Sequence, residues 1–373
     1  METSNIMRKP LQPPPSIKGH DFSKEEIENT RSRGTLLMIS PCVSRACNFK
    51  CPYCYSDAGT QEEKNPLTFE DYKRVIQQAK DLGARTVRIG GWGEPFLDAN
   101  FYEPKASTFP LIDYSNQLGM HVVFFTNSTL ISSEIAQELI RRDVSVIPKI
   151  DTFRSEIQDK MTGVNGSFEL VHKGIHNLIN AGFLHTNPPR FAISAIISSY
   201  NYDELPSLYF LLREWNIIPY FELIMHGGRG KTTDIHVSKQ QAKILFEKFL
   251  KIDEEHFGYT WYPLPPYVGF KCDKLYYNLV IDTDGEVYPC YGIKISLGNI
   301  RNQSLKEITT TKLFWKFRNI KRHMHGRCAT CNIPHCDFGC RCDAFQVGDV
   351  FGNYEMCWHQ NVSNNSKHRK GRF

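Results

Sequence analysis

Twelve cysteines lie in this 373-residue chain as four between positions 42 and 54, none from 55 to 271, and eight between 272 and 357. A disulfide framework would not leave the middle of a fold empty. Residues 1–15 are polar and proline-rich, without the apolar core of an export signal. A cytoplasmic location is therefore expected, where thiols stay reduced and metal explains the cysteines better than disulfides do. The densest group is Cys47-Asn48-Phe49-Lys50-Cys51-Pro52-Tyr53-Cys54. Three thiolates held this closely can ligate three irons of a cubane cluster, leaving the fourth iron free for chemistry. The same three could be most of a structural zinc site. Zinc, however, usually takes its ligands as two separated pairs, and no His lies near this loop.

The spacing of this loop, with an aromatic just before its last cysteine, resembles the signature of the radical S-adenosylmethionine (SAM) enzymes. The resemblance implies that Cys47, Cys51 and Cys54 hold a [4Fe-4S] cluster whose open iron binds the amino and carboxylate groups of SAM. An electron, delivered by a donor such as flavodoxin or ferredoxin, would then break a carbon-to-sulfur bond and give a 5'-deoxyadenosyl radical. The cofactors carry the reactive species, and the protein supplies position and shielding.

The pattern around the loop supports a matching fold. Residues 35–40, 86–89, 121–126, 144–150, 191–197 and 217–225 read as strands. Helices at 68–82, 110–118, 132–142, 167–181, 202–215 and 238–256 follow them in turn. In the first, Phe69, Tyr72, Val75, Ile76 and Ala79 mark one apolar face. Ser23 and Glu26 form a capping-box pattern for a short helix ahead of the first strand. Six strand-then-helix units imply a parallel sheet with right-handed crossovers. The expected fold is α/β, a partial (β/α)6 TIM-like barrel resembling the radical SAM core, with a lateral opening for a large substrate. The cysteine loop follows strand one, on the face where such barrels carry their chemistry.

Strand two ends in Gly90-Gly91-Trp92-Gly93-Glu94-Pro95, which resembles the family's GGEP motif. Gly91, Gly93 and Glu94 are thereby implied to contact the SAM amino group, with Trp92 a departure from the commoner run. Tyr53 is implied beside the adenine. Asn127 and Ser128 end strand three, Asp151 follows strand four, Asn201 follows strand five, and Glu222 lies in strand six before Gly227-Gly228-Arg229-Gly230. Any one of these polar residues is as readily an ordinary surface residue; together they are expected to ring the barrel mouth and bind SAM.

The later cysteines read Cys272, Gly285, Cys290, then Cys328-x2-Cys331-x4-Cys336-x3-Cys340, then Cys357. They resemble the SPASM domain, the auxiliary-cluster extension of radical SAM enzymes, although one inner spacing is x4 where the family usually has x5. The resemblance implies a first auxiliary cluster on Cys272, Cys290 and Cys340, with Cys342 or substrate as fourth ligand. It implies a second on Cys328, Cys331, Cys336 and Cys357, making three [4Fe-4S] clusters with the SAM-binding one. A pair of zinc sites is the alternative. Residues 278–290 read as a hairpin turning at 282–285.

The expected organisation is an N-terminal extension at 1–34, the barrel at 35–257, a linker at 258–270, the SPASM-like module at 271–360 and a disordered basic tail at 361–373. No run approaches the roughly 20 apolar residues of a membrane span. The net charge of +5 is mild, with Lys and Arg in the tail, so neither membrane nor nucleic acid is an expected partner. Tyr291 follows Cys290, where sulfatase-maturing relatives have an aspartate base; it, Cys42 and Cys342 are the candidates for proton or hydrogen-atom chemistry. For Cys42 a small buried hydrophobe is the simpler account. The expected function is hydrogen-atom abstraction from a peptide or protein, giving oxidation, crosslinking or epimerisation. The alternatives are a dehydrogenase or epimerase of a sugar, cyclitol or other small metabolite, favoured by the shortness of the N-terminal extension, and a non-catalytic metal-binding scaffold.

Overall fold

The computed structural model describes residues 11–59, 65–97 and 110–359; the basic tail expected at 361–373 lies outside them. Six strands run parallel in chain order: β1 (Met38–Pro41), β2 (Thr86–Ile89), β3 (His121–Thr126), β4 (Ser145–Pro148), β5 (Ala192–Ile197) and β6 (Ile218–Leu223). Met38 stands opposite Thr86, Thr86 opposite His121, Val123 opposite Ser145 and Ala192 opposite Ile218. Parallel bridges from Val146 to Phe191 and from Lys149 to Ser194 join β4 to β5, so the six strands make one curved wall. Their sequences suit it. Strands covered on both faces read as continuous apolar runs, and every residue of β5 is buried.

The helices follow from spacing and caps. Thr68 and Asp71 close a reciprocal capping box on Phe69–Asp81, which buries Tyr72, Val75, Ile76 and Ala79. Ser23 and Glu26 do the same for Lys24–Arg33. The helix Ser155–Thr162, between β4 and Ser167–Asn180, was not legible in the sequence because eight residues are too few for a clear period. The helix expected to 256 is α-helical to Ile252 and ends in a π-helical turn, Asp253–Phe257. Buried Asp253 accepts hydrogen bonds there from Tyr209 Oη at 2.6 Å, Arg213 Nε at 2.9 Å and Trp261 Nε1 at 2.9 Å.

The cysteine-rich region is tied into the barrel. β7 (Asn278–Ile281) pairs in parallel with β1 along all four of its residues. β8 (Glu286–Tyr288) and β9 (Gly298–Asn299) extend the same sheet, in the order β4-β3-β2-β1-β7-β8-β9. The hairpin expected at 278–290 is therefore also an edge of the barrel sheet. The segment expected as a linker has a similar role at the other edge. Leu223 N–H donates to the Pro266 carbonyl at 3.1 Å, and Val268 N–H to the Phe221 carbonyl at 3.0 Å. The open edge of β6 is thus covered, as an edge strand requires, and the lateral opening expected beside six strands is bordered by residues 266–268. Among the described residues no helix is long and apolar enough to cross a membrane.

Candidate active site

The loop after β1 is fixed by the loops around it. Arg45 pairs with buried Asp282 in the turn after β7. Lys50 N–H donates to the Thr162 carbonyl at 2.8 Å, and Asn127 Nδ2 donates to Asn48 Oδ1 at 2.6 Å. Arg229, after β6, donates through Nε to the Cys51 carbonyl at 2.9 Å. The glycines beside Arg229 let it come this close: a Cβ on Gly228, at φ +51, would lie 2.8 Å from the Tyr55 carbonyl. Asp282, Asn127 and Arg229 each follow a strand, and Thr162 ends the helix Ser155–Thr162.

The thiols face one cavity of about 230 Å³ inside the barrel mouth. Its walls carry Cys47, Cys51 and Cys54 from this loop together with Cys272, Cys290, Cys340 and Cys342 from the C-terminal region. Among the described residues no three His, Cys, Asp or Glu side chains converge on a point that would hold a single metal ion. Thiols spaced around shared room fit a multi-iron cluster better than one tetrahedral zinc ion. Burial pushes the Cys47 thiol up to about 11 and the Cys51 thiol up to about 12; bound iron would supply the positive charge that thiolates need here. Backbone N–H groups already point at two of the sulfurs, from Phe49 to Cys47 Sγ at 3.5 Å and from Ala58 to Cys54 Sγ at 3.4 Å.

Cys342 Sγ lies 3.0 Å from Cys290 Sγ. The contact lowers the Cys290 thiol to about 7, because the Cys342 S–H donates to it, and burial adds to the same bond in raising Cys342. Cys342 thus lies beside Cys290, one of the cysteines expected at the first auxiliary cluster. Cys328, Cys331 and Cys357 line a second pocket farther along the chain, and Cys336 interacts electrostatically with Cys331 and Cys357.

Six of the nine residues expected at SAM line the main cavity: Tyr53, Gly91, Gly93, Glu94, Asn127 and Glu222. Glu94 is 2 % exposed and accepts hydrogen bonds from Asn127 N–H at 2.6 Å and Thr126 Oγ1 at 2.8 Å. Burial still pushes its carboxyl up to about 7, and only hydrogen bonds oppose the shift. A cationic ammonium is the partner such a carboxylate lacks, which fits the amino group of SAM. The other three stand behind the wall. Ser128, at φ +63, packs under the helix Ser167–Asn180 with its hydroxyl toward Val171. Asp151 accepts from Tyr53 Oη at 2.7 Å, Lys149 Nζ at 2.9 Å and Ile196 N–H at 2.7 Å. Asn201 Nδ2 donates to the carbonyls of Asp151 and Ile196, each at 2.8 Å. Asp151 and Asn201 thus brace the wall that holds Tyr53.

Of the three candidates for proton or hydrogen-atom chemistry, Tyr291 and Cys342 reach the cavity. The buried Tyr291 hydroxyl has no partner within hydrogen-bond geometry. Cys42 is 1 % exposed and packs against Trp92, Val280 and Tyr291, away from the cavity wall. It sits where a small buried hydrophobe would. The sequence reading did not single out Arg88, Lys149 and Lys274, all of which line the cavity. Arg88 was detectable as a lone charge in the strand Thr-Val-Arg-Ile.

Two family models match this chain: the radical SAM superfamily over residues 42–212 and an iron-sulfur cluster-binding domain, SPASM, over residues 272–332. The chain belongs to the radical SAM superfamily. The radical SAM match opens at Cys42 and includes the whole cysteine loop, and the SPASM match includes Cys272, Cys290, Cys328 and Cys331. This radical SAM enzyme is 27 % identical over 326 residues to the mycofactocin maturase MftC of Mycolicibacterium smegmatis, covering 82 % of this chain and 78 % of that protein. It is 29 % identical over 223 residues to the Fe-coproporphyrin III synthase of Methanosarcina barkeri. That match covers 58 % of this chain and spans about half of the relative, 52 %. Its fold is that of Streptococcus suis SuiB, solved bound to the precursor peptide SuiA, with a TM-score of 0.66 at 16 % identity over 90 % of this chain and 79 % of SuiB. Membership implies a [4Fe-4S] cluster and SAM at the radical SAM domain, and the SPASM domain indicates auxiliary clusters.

Proposed function

We infer that this radical SAM enzyme removes a hydrogen atom from a carbon of a peptide or protein side chain, leaving it oxidised, crosslinked or epimerised. The observation that carries this reading is the single cavity shared by the cysteine loop and the auxiliary cysteines. A substrate in that cavity would lie between a source of radical and a path for the electron its oxidation releases.

When bound, the loop cluster and SAM supply a reductively generated carbon radical. The chain's own residues do the rest. Cys47, Cys51 and Cys54 would hold the cluster and leave one iron open to SAM. Glu94 would accept the SAM ammonium, held in place by Thr126 and the Asn127 backbone. Tyr53, anchored on Asp151, is suited to lie beside the adenine, with Gly91 and Gly93 leaving the backbone open to close approach. Phe49, Phe125 and Tyr267 line the cavity with aromatic surface that would limit water at the reacting atoms. Tyr291 lines the same cavity, with its hydroxyl enclosed and unpartnered, and is the candidate to exchange a proton with substrate. Cys272, Cys290, Cys340 and Cys342 would hold the first auxiliary cluster, and Cys328, Cys331, Cys336 and Cys357 the second.

A peptide is supported by the likeness to SuiB, a protein that binds a precursor peptide. A small metabolite is the second reading, supported by the likeness to a synthase named for Fe-coproporphyrin III. The test is anaerobic reconstitution with iron counting and assay of 5'-deoxyadenosine release after reduction. About twelve irons per chain would fit three cubane clusters. Alanine at Cys47, Cys51 and Cys54 together should remove about four of them and abolish release. Release surviving that triple replacement would refute the reading. Mass spectrometry of peptide and metabolite substrates in deuterated water then separates epimerisation, which incorporates deuterium alone, from oxidation or crosslinking.

A further inference from the structure

Three cations, Arg88, Lys149 and Lys274, face the cavity, and two carboxylates, Glu94 and Glu222, face it with them. Lys149 is matched by Asp151 at 2.9 Å, and Glu94 is the carboxylate suited to the SAM ammonium. Of these five side chains Arg88, Lys274 and one carboxylate, Glu222, remain. Arg88 is 9 % exposed and Lys274 6 % exposed. Neither has a hydrogen-bond or ion-pair partner among the described residues, and the Arg88 Nε is fully enclosed without one. The Arg88 guanidinium carbon lies 4.2 Å from the ring centre of Phe125 and 4.6 Å from that of Tyr291. Aromatic contact occupies the guanidinium faces and leaves its in-plane N–H edge, the part that grips a carboxylate bidentately. A buried cation kept without a counterion is costly, so a ligand that supplies the anion is strongly favoured.

We propose that Arg88, assisted by Lys274, receives a carboxylate of the substrate inside this cavity. The inference rests on the reading of the cavity as the substrate site. It deepens that reading by requiring an acidic substrate, whether the acid is a peptide carboxylate or the propionate of a tetrapyrrole. Glu222, facing the same cations, would by repulsion limit the site to one such group, and the ring of Tyr291 both packs on Arg88 and borders the bound acid. The neighbouring cluster thiolates also feel these charges: Lys274 is the first electrostatic influence on Cys272 after burial, and Arg88 and Lys274 both act on Cys290. No cysteine accepts a hydrogen bond from the enclosed Arg88 Nε, so that donor is left for a ligand.

The test uses reconstituted full-length enzyme with SAM and two probe pairs under anaerobic calorimetry: N-acetyl-leucyl-phenylalanine against its C-terminal amide, and Fe-coproporphyrin III against its tetramethyl ester. At least one acid should bind about tenfold or more tightly than its neutral partner, as expected for a charge-assisted hydrogen-bond pair. Which pair shows the preference tells peptide from tetrapyrrole. Arg88→Gln should reduce the preference to about threefold or less, and Arg88→Lys should restore part of it. If Arg88→Gln does not accumulate as folded protein, Lys274→Gln carries the test, with a loss of at least about threefold expected. Equal binding of acid and neutral probes, or a preference untouched by these variants, overturns the proposal. So does a shift of cluster midpoint potential in Arg88→Gln with the preference intact, because the cation would then serve the cluster. Wild-type enzyme that prefers acids but releases no 5'-deoxyadenosine would sink the functional reading alone; enzyme that releases it without any acid preference would sink only this inference.

Discussion

Replacing Gly91 by alanine separates two reasons for glycine at that position, room for SAM and room for Tyr291. An added Cβ would lie 2.7 Å from both Cδ1 and Cζ of the Tyr291 ring, and the backbone there has φ +130. The ring has little freedom to retreat. Arg88 packs on it, the Trp92 ring centre is 5.9 Å away, and Trp92 Nε1 donates to the Tyr291 carbonyl at 3.1 Å. Overpacking a fixed neighbour costs about 1–3 kcal/mol, and a non-glycine residue at such a φ about 1–3 kcal/mol more, so Gly91→Ala should lose about 2–6 kcal/mol. Tyr291→Ala removes the clash but not the backbone strain. The double variant should therefore be more stable than the sum of the two single changes by about 1–3 kcal/mol. Anaerobic urea unfolding of the reconstituted protein, followed by tryptophan fluorescence, measures the four corners of the cycle, and equilibrium dialysis measures SAM affinity in parallel. Additive losses would refute the argument. So would Gly91→Ala that unfolds like wild type yet no longer binds SAM, since the glycine would then serve the cofactor alone.

Cys42→Ala should leave both iron content and 5'-deoxyadenosine release at wild-type levels, because the thiol is enclosed by Trp92, Val280 and Tyr291 instead of facing the cavity; loss of product with release intact would return Cys42 to the reaction. His226 links the loop after β6 to the auxiliary region through Asp343, with Nδ1 2.7 Å from Oδ1. That hydrogen bond raises the His226 pKa above its ordinary 6.5, against the opposing effect of burial. A raised folded-state value means that the pairing stabilises fully below pH 6.5 and fades as pH rises through the native value. The stability difference between wild type and His226→Gln should thus narrow from about pH 6 to about pH 9. A constant difference across that range would show that the imidazolium is not what Asp343 holds.

The parts of this fold that could be read in advance are those whose signal is local. The spacing of Cys47, Cys51 and Cys54 is contained in eight residues, and strands such as Thr86–Ile89 are short apolar runs bounded by turns. The place of β7 is different. Asn278–Ile281 looks the same whether it opens a separate module or joins the barrel, and its parallel pairing with β1 is a choice made across some 240 residues of chain. Side-chain direction past the end of a strand is likewise not in the pattern. Alternation gives two faces only while the strand lasts, and β1 ends at Pro41, one residue before Cys42. This is why Cys42 turned under Trp92 while Cys47 reached the cavity.

The same limit sorted the polar residues at the strand ends. Each was expected at the barrel mouth, yet position alone could not tell a residue that faces ligand from one that braces a neighbour. Asp151 and Asn201 brace: through Tyr53 they fix the wall on which a cofactor would rest. Arg88 faces inward from mid-strand, with its edge donors unmatched. In an interior where unpaired charge is costly, an unmatched group is a better sign of ligand than a polar residue at the expected place, and it is a sign that only the folded chain displays.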